Sequence, residues 1–182
     1  MKSTSLVCAA FLLLAGACSS GVSEEIQLVD RIPTEERNVN YVSSKAPMMP
    51  QQFIKLPTGS IKPDGWLLTQ LQLQKDGLNG HLGEISAWLQ KEDNAWLKAG
   101  GKWGWEEVPY WLRGYAGVAY LFEDKAMLDE AKIWIESILK SQRENGNFGP
   151  SADTKGTQDF WPNMIALWIL QSYHEYTGDA RV

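Results

Sequence analysis

Cysteine is nearly absent. The 182 residues hold two, Cys8 and Cys18, and both fall in the first 18 positions. No intramolecular disulfide and no cysteine zinc site can be built from the rest of the chain. Histidine is equally scarce. His81 and His174 stand alone, without a partner at metal-ligand spacing, and both are taken as structural or surface residues. No basic stripe exists: 17 Lys and Arg are interspersed with 22 Asp and Glu, for a net charge of -5. That balance argues against nucleic acid as a partner. Long apolar runs are missing as well. The run at residues 6–14 is too short to span a bilayer as a permanent helix. There is no heptad pattern and no internal repeat. The length suffices for one domain with a real core.

What is present begins with a leader. Lys2 gives a positive start, residues 6–14 are apolar, and Ala15, Gly16 and Ala17 precede Cys18. Small residues at 15 and 17 suit ordinary signal peptidase. Leu14-Ala15-Gly16-Ala17-Cys18 also resembles a bacterial lipobox, although Ala15 stands where Leu is usual. We prefer the second route, because Cys18 has no other use: its thiol would be acylated and become the first mature residue. A lipid anchor then implies membrane association. The expected location is the cell envelope of a bacterium, as an outer-membrane lipoprotein facing the periplasm or the cell surface.

Residues 19–60 read as a small, polar, acidic tether followed by an extended arm. Pro47, Pro50 and Pro57 favour extension and turns there. From residue 61 onward helical periodicity dominates. A first helix carries Trp66, Leu67, Gln70, Leu71 and Gln74, with Gly77 as its stop. A second covers NGHLGEISAWLQKED, with Leu82, Ile85, Trp88 and Leu89 on one side. A Gly-broken aromatic loop follows. The third helix is expected over 107–122, with Pro109 tolerated in its first turn, and Glu123-Asp124 breaks it. The fourth is expected over 125–142, buried through Leu128, Ala131, Ile135, Ile138 and Leu139. Residues 144–150 cap it. The fifth is expected over 158–176, with Trp161, Met164, Ile165, Trp168 and Leu170 as apolar positions. Thr177-Gly178 ends it. Consecutive helices with short links, some apolar on more than one side, are how an α/α toroid is laid down. The fold class is therefore all-α, an arc of an α/α toroid truncated at its C-terminus. The competing architecture is a small complete helical bundle.

All nine Trp lie after residue 60. The stretch GKWGWEEVPYWLRGYAGVAY, residues 101–120, sets Trp103, Trp105, Tyr110, Trp111, Tyr115 and Tyr120 around Glu106 and Glu107. Rings beside carboxylates suit a sugar, which has apolar C–H faces and a rim of hydroxyls. The plain alternative is that the rings only fill a core. Glu106 is expected to serve the positive end of a helix dipole. Glu107, followed by Pro-Tyr-Trp at a helix mouth, is the candidate for substrate contact. Trp103, Trp105, Tyr110 and Trp111 are expected where a cleft opens, and Tyr115 and Tyr120 in the packing. Asp159, Trp161 and Asn163 open the fifth helix and suit hydroxyl binding, against the alternative of an N-cap with Pro162 in the first turn. Gln142 to Phe148 has the pattern Gln, three residues, Gly, one residue, aromatic. It describes a helix end, a left-handed Gly146 and a ring folded back, and it speaks for architecture rather than chemistry.

Taken together, LPTGSIKPDGWLLTQLQLQKDGLNGHL, WGWEEVPYWLRGYAGVAYLF, ILKSQRENGNFGP and DFWPNMIALWILQSYHEYTGDARV resemble the N-terminal half of the catalytic domain in the β-L-arabinofuranosidase family of glycoside hydrolases. The resemblance runs from about residue 56 to the last. It implies that the all-α arc is a partial (α/α)6 barrel of the six-hairpin glycosidase type, and that the protein is a retaining exo-hydrolase of bacterial origin acting on terminal furanosides of plant glycans. It implies a cysteine nucleophile, a glutamate acid/base, and zinc held by cysteines and a glutamate in the complete protein. Those residues belong to the later half of the family's domain, so no catalytic or metal residue is assigned in this chain and no cofactor is expected in it. The residues carried over as substrate-binding are Glu107, Trp111, Asp159, Trp161 and Asn163, with Trp105 and Tyr110 added from the aromatic pattern. The partner implied is an oligosaccharide or polysaccharide. The chain alone is expected to be inactive. Two other functions compete: a non-catalytic surface glycan-binding lipoprotein, and a toroid of the terpene-cyclase type. The export leader and the lack of an Asp-rich motif count against the last.

Overall fold

The computed structural model describes residues 40, 41, 44–49, 51, 53–150 and 159–182. All of them fall in one compact unit, Thr34–Val182. The leader, Cys18 and the tether lie outside the described residues, as do residues 151–158.

Five helices follow in order: α1 Gly65–Asp76, α2 Leu78–Ile85, α3 Glu107–Phe122, α4 Lys125–Lys140 and α5 Trp161–Thr177. A single 3-10 turn, Ala87–Leu89, follows α2. Among the described residues there is no strand, only an isolated bridge between Asn94 and Trp103. No helix among them is long and apolar enough to cross a membrane. The all-α class is as the sequence implies.

The helices begin and end where local chemistry dictates. Asp64 accepts the Gly65 N–H at 2.6 Å at the start of α1. Asp124 accepts the Met127 N–H at 3.0 Å and so caps α4. Between α3 and α4 the chain reverses through Glu123, which takes φ +53°. Lys62 stabilises that left-handed residue. Its ammonium reaches the Glu123 carboxylate at 2.7 Å and the Leu121 carbonyl at 3.3 Å, satisfying the end of α3. Gly178, at φ +71°, ends α5 and donates its N–H to the His174 carbonyl at 2.7 Å.

Three expected elements differ from what the structure contains. The second helix stops at Ile85 because Ser86 is extended and Asn94 draws the Trp88 and Gln90 carbonyls to its amide. Ile85 and Trp88 are accordingly exposed, while Leu89 is buried. The fourth helix ends two residues early, at Lys140. The Ser141 hydroxyl donates to the Ile138 carbonyl and accepts the Gly149 N–H, which folds the following hairpin back. The fifth begins at Trp161, where Asp159 accepts the backbone N–H at 2.9 Å. Trp161, Met164 and Trp168, expected on its apolar stripe, are exposed; Ile165 and Leu170 are buried. The helix has two apolar faces, and only one meets the described core.

That core is built on α3, which packs against both α4 and α5. Val108, Leu112, Ala116 and Ala119 of α3 meet Ala131, Trp134, Ile135 and Ile138 of α4, with Ala166 and Ile169 of α5 in the same cluster. Small residues on α3 and α5 let the helix backbones approach. The described arm reaches α5. Tyr41, Lys55 and Thr58 all bond to Glu175.

Candidate functional site

The N-terminal ends of α3 and α5 and the loops leading into them carry most of the sequence-derived candidates. Glu107 occupies the first turn of α3, where its negative charge complements the helix dipole. The carboxylate is half-buried. Its Oε2 is fully buried and has no hydrogen-bond partner among the described residues. Glu106, beside it, is exposed at the N-cap and makes no side-chain capping bond. Successive helix residues point about 100° apart, so the two carboxylates face differently.

A bond spanning 54 residues joins the two loops. The Trp105 indole N–H donates to Asp159 Oδ2 at 2.9 Å. The other Asp159 oxygen takes the Trp161 N–H at 2.9 Å. These bonds hold the Asp159 carboxyl below the usual carboxylate range. Asp159 thus fixes the start of α5 and also the attitude of the Trp105 ring. Trp161, in the first turn of α5, and Tyr110, in the first turn of α3, are both half-exposed.

Asn163 is 5 % exposed. Its Nδ2 donates to the Phe148 carbonyl at 2.7 Å, tying α5 to the Gly146 turn. Its Oδ1 is buried and has no partner among the described residues. Asn163 opens onto a cavity of about 380 Å³ whose lining includes Gly146, Phe148, Phe160, Met164 and Leu167. Gly146 is at φ +82°, as the Gly-x-aromatic pattern requires, and Phe148 packs against the core.

Trp111 is different. It was expected at the mouth, but its ring is 6 % exposed and packs in the core. It lies 4.7 Å from Tyr115 and edge-on to Trp134 at 5.8 Å, and its indole N–H donates to the Asn79 carbonyl at 3.3 Å. Gly83 makes room for it, since a Cβ there would stand 3.6 Å from the indole. Tyr115 and Tyr120 are also buried, as expected for packing residues. Burial and neighbouring carboxylates push the Tyr115 phenol up to about 12.

Two residues escaped notice in the sequence. Asn94, fully buried, organises the aromatic loop through three hydrogen bonds. Glu175 anchors the arm. A lone Asn among Trp residues, or a Glu near the end of a helix, carries no signal that separates it from a solvated one.

The site holds two buried acceptors without donors among the described residues and exposes ring faces on the same helix turns. Among the described residues no three His, Cys, Asp or Glu side chains stand close enough to hold a metal ion. They do not form the zinc site that the resemblance implies for a complete protein.

A family model described as beta-L-arabinofuranosidase, GH127 catalytic domain, matches residues 25–182. No curated protein and no solved structure matches the chain. The match covers most of the chain and every described helix, including the two helix mouths where the buried acceptors lie. The chain belongs to the GH127 β-L-arabinofuranosidase catalytic-domain family and is part of a glycoside hydrolase.

Proposed function

We propose that the chain is the N-terminal portion of a catalytic domain that releases a terminal β-L-arabinofuranose, or a related pectin-type sugar, from plant glycans. The observation that carries this is the pair of buried acceptors at neighbouring helix mouths, Glu107 Oε2 and Asn163 Oδ1. A buried acceptor left without a donor costs ~1–3 kcal/mol. Both atoms are closed to solvent in this structure, so in this reading the mouth rearranges as a sugar hydroxyl supplies the donor, and the half-exposed rings of Tyr110 and Trp161 offer faces for its C–H groups. The second apolar face of α5 supports a domain in which further helices pack on this one. In this reading residues 1–18 are a lipoprotein leader, 19–60 a tether and arm, and 61–182 the start of the barrel. Cys18 would carry the lipid that holds the enzyme to the bacterial envelope.

The test is Glu107→Gln in the full-length protein. It keeps the shape but replaces one acceptor with a donor. Loss of a charged hydrogen bond of ~1.5–3 kcal/mol lowers kcat/KM about ten- to a hundredfold, with little change in melting temperature. Glu106→Gln should do far less. Equal small effects from the two, or a Glu107→Gln protein that is mainly less stable, would make Glu107 a structural residue.

A second reading is a glycan-binding lipoprotein without catalysis, which the leader, the acidic tether and the Trp-rich helices suit equally well. Both readings expect residues 19–182 alone to release no p-nitrophenol from p-nitrophenyl β-L-arabinofuranoside. Robust turnover by that segment would overturn the assignment of nucleophile and acid/base to a later part of the protein. Activity in a longer protein, lost on truncation to residue 182, separates the enzyme from the binding protein.

A further inference from the structure

The loop between α2 and α3 is held more firmly than a connection requires. Asn94 Nδ2 donates to the Trp88 and Gln90 carbonyls at 3.2 and 3.1 Å, and its Oδ1 accepts the Trp96 N–H at 3.1 Å. The Trp96 indole N–H donates to the Trp105 carbonyl at 2.9 Å, and the Ser137 hydroxyl of α4 donates to the Trp96 carbonyl at 2.7 Å. Asp93 is held at φ +58°, a conformation that costs free energy, and its carbonyl accepts the Lys102 N–H at 2.7 Å. Gly104, at φ +82°, fits so closely that a Cβ would stand 2.6 Å from Asn94 Nδ2 and 2.9 Å from the Trp88 carbonyl.

This fastened loop presents two indoles to solvent. Trp88 is 49 % and Trp103 43 % exposed, with ring centroids 5.7 Å apart and planes inclined at 67°. With Ala87, Gln90, Glu92 and Asp93 they line an open cavity of about 490 Å³, a size within the range of small-molecule sites. None of its lining residues is shared with the buried acceptors of the helix mouths.

We propose that Trp88 and Trp103 form a second sugar-binding position, which takes one neutral pyranose or furanose unit of a glycan. One indole supplies a flat face for the C–H side of the ring, and the other closes the cavity at an angle. Glu92 and Gln90 stand where hydroxyls would reach them. Local charge favours a neutral ligand. Lys98 and Lys102 both pair with Asp93, at 3.0 and 3.6 Å, so the same loop carries two ammonium groups for the two carboxylates of the lining, Glu92 and Asp93. A cage for an organic cation would leave its carboxylates uncompensated. Because the loop is already ordered, binding loses little further entropy. The inference rests on the loop alone and stands or falls apart from the catalytic reading.

The experiment is isothermal titration of the chain with neutral tetrasaccharides of L-arabinofuranose, D-galactose and D-glucose, and with tetramethylammonium as the cationic probe. At least one tetrasaccharide should bind. Trp103→Ala and Trp88→Ala should each weaken it by about tenfold or more. Both rings are half-exposed, so far-UV circular dichroism should be unchanged. Glu92→Ala, an exposed substitution, provides a variant that does not disturb packing and should weaken binding severalfold. Glu106→Gln, exposed at the start of α3 and outside both sites, should leave this affinity within twofold. Three results would overturn the proposal: no tetrasaccharide binding at about 10 mM, binding of tetramethylammonium but of no sugar, or sugar binding lost in Glu107→Gln and kept in both Trp variants. Absence of sugar binding at the loop of the unmutated protein, with an intact Glu107→Gln effect on hydrolysis, would sink this inference and leave the catalytic reading standing.

Discussion

Replacing Glu175 by Gln should detach the N-terminal arm from α5. The Glu175 side chain is 1 % exposed. Its Oε1 accepts from Lys55 Nζ at 2.6 Å and from the Tyr41 hydroxyl, and its Oε2 accepts both the N–H and the hydroxyl of Thr58 at 2.8 Å. Burial pushes this carboxyl up, but the bonds from Lys55, Tyr41 and Thr58 outweigh burial and bring it down from 4.5 to about 2. Such a fall corresponds to ~3 kcal/mol of preference for the charged form. Lys55 is half-exposed and screened by solvent, so about 2 kcal/mol is the expected contribution to stability at neutral pH. A Gln places an NH₂ donor against donors, which adds to the loss. Urea unfolding followed by Trp fluorescence should show the variant about 2 kcal/mol less stable at pH 7, and its melting temperature should fall by roughly 4–8 °C. Because the folded-state pKa lies below the unfolded one, the contribution is complete above about 4.5 and disappears as pH falls towards 2. The gap between wild type and Glu175→Gln should therefore shrink across that window. A variant as stable as wild type at pH 7, or a deficit that does not shrink on acidification, would refute the reasoning.

Two further outcomes follow from single positions. Gly149 has φ +74°, and a Cβ there would stand 2.6 and 2.9 Å from the buried Trp96 ring; Gly149→Ala should cost ~2–4 kcal/mol, measured by urea unfolding. Gly178 has nearly the same φ but open space around it, so Gly178→Ala should cost only ~1 kcal/mol, and equal costs at the two positions would show that the Trp96 contact is irrelevant. Cells fed a clickable palmitate should label the wild-type protein and not Cys18→Ala; equal labelling of both would rule out the lipid anchor.

How far the sequence was legible depends on how local the cause was. The bounds of α3 were readable because Pro109 fits only a first turn and Glu123-Asp124 breaks the helix within two residues. The end of α2 was not readable. It is set by Asn94, nine residues beyond, whose amide captures the Trp88 and Gln90 carbonyls and replaces the helical pattern with a 3-10 turn. Gly80 and Gly83 lower helix propensity in the same segment, but propensity alone does not say where the chain will turn. The bond between Trp105 and Asp159 shows the same limit. Each residue was a candidate on its own chemistry, and only the packing of α3 against α5 brings the two together.

Tyr110 and Trp111 show why a ring-rich stretch cannot be assigned as a block. They are neighbours in sequence and were grouped on that ground. On a helix they diverge by about 100°. Tyr110 is half-exposed at the mouth, whereas Trp111 meets Tyr115 one turn on and Trp134 across on α4. The same phase rule explains why Glu106 and Glu107 differ in burial although they are adjacent. In the preceding loop no such phase exists, and hydrogen bonds decide which rings are held. Trp96 is drawn inside by the Trp105 carbonyl and by Ser137, Trp105 is turned towards Asp159, and Trp103 is left outside beside Trp88. The six rings of residues 101–120 thus serve the core, the helix mouth and the loop surface. Which one a given ring serves is decided by helical phase in α3 and by buried amides, above all Asn94, in the loop.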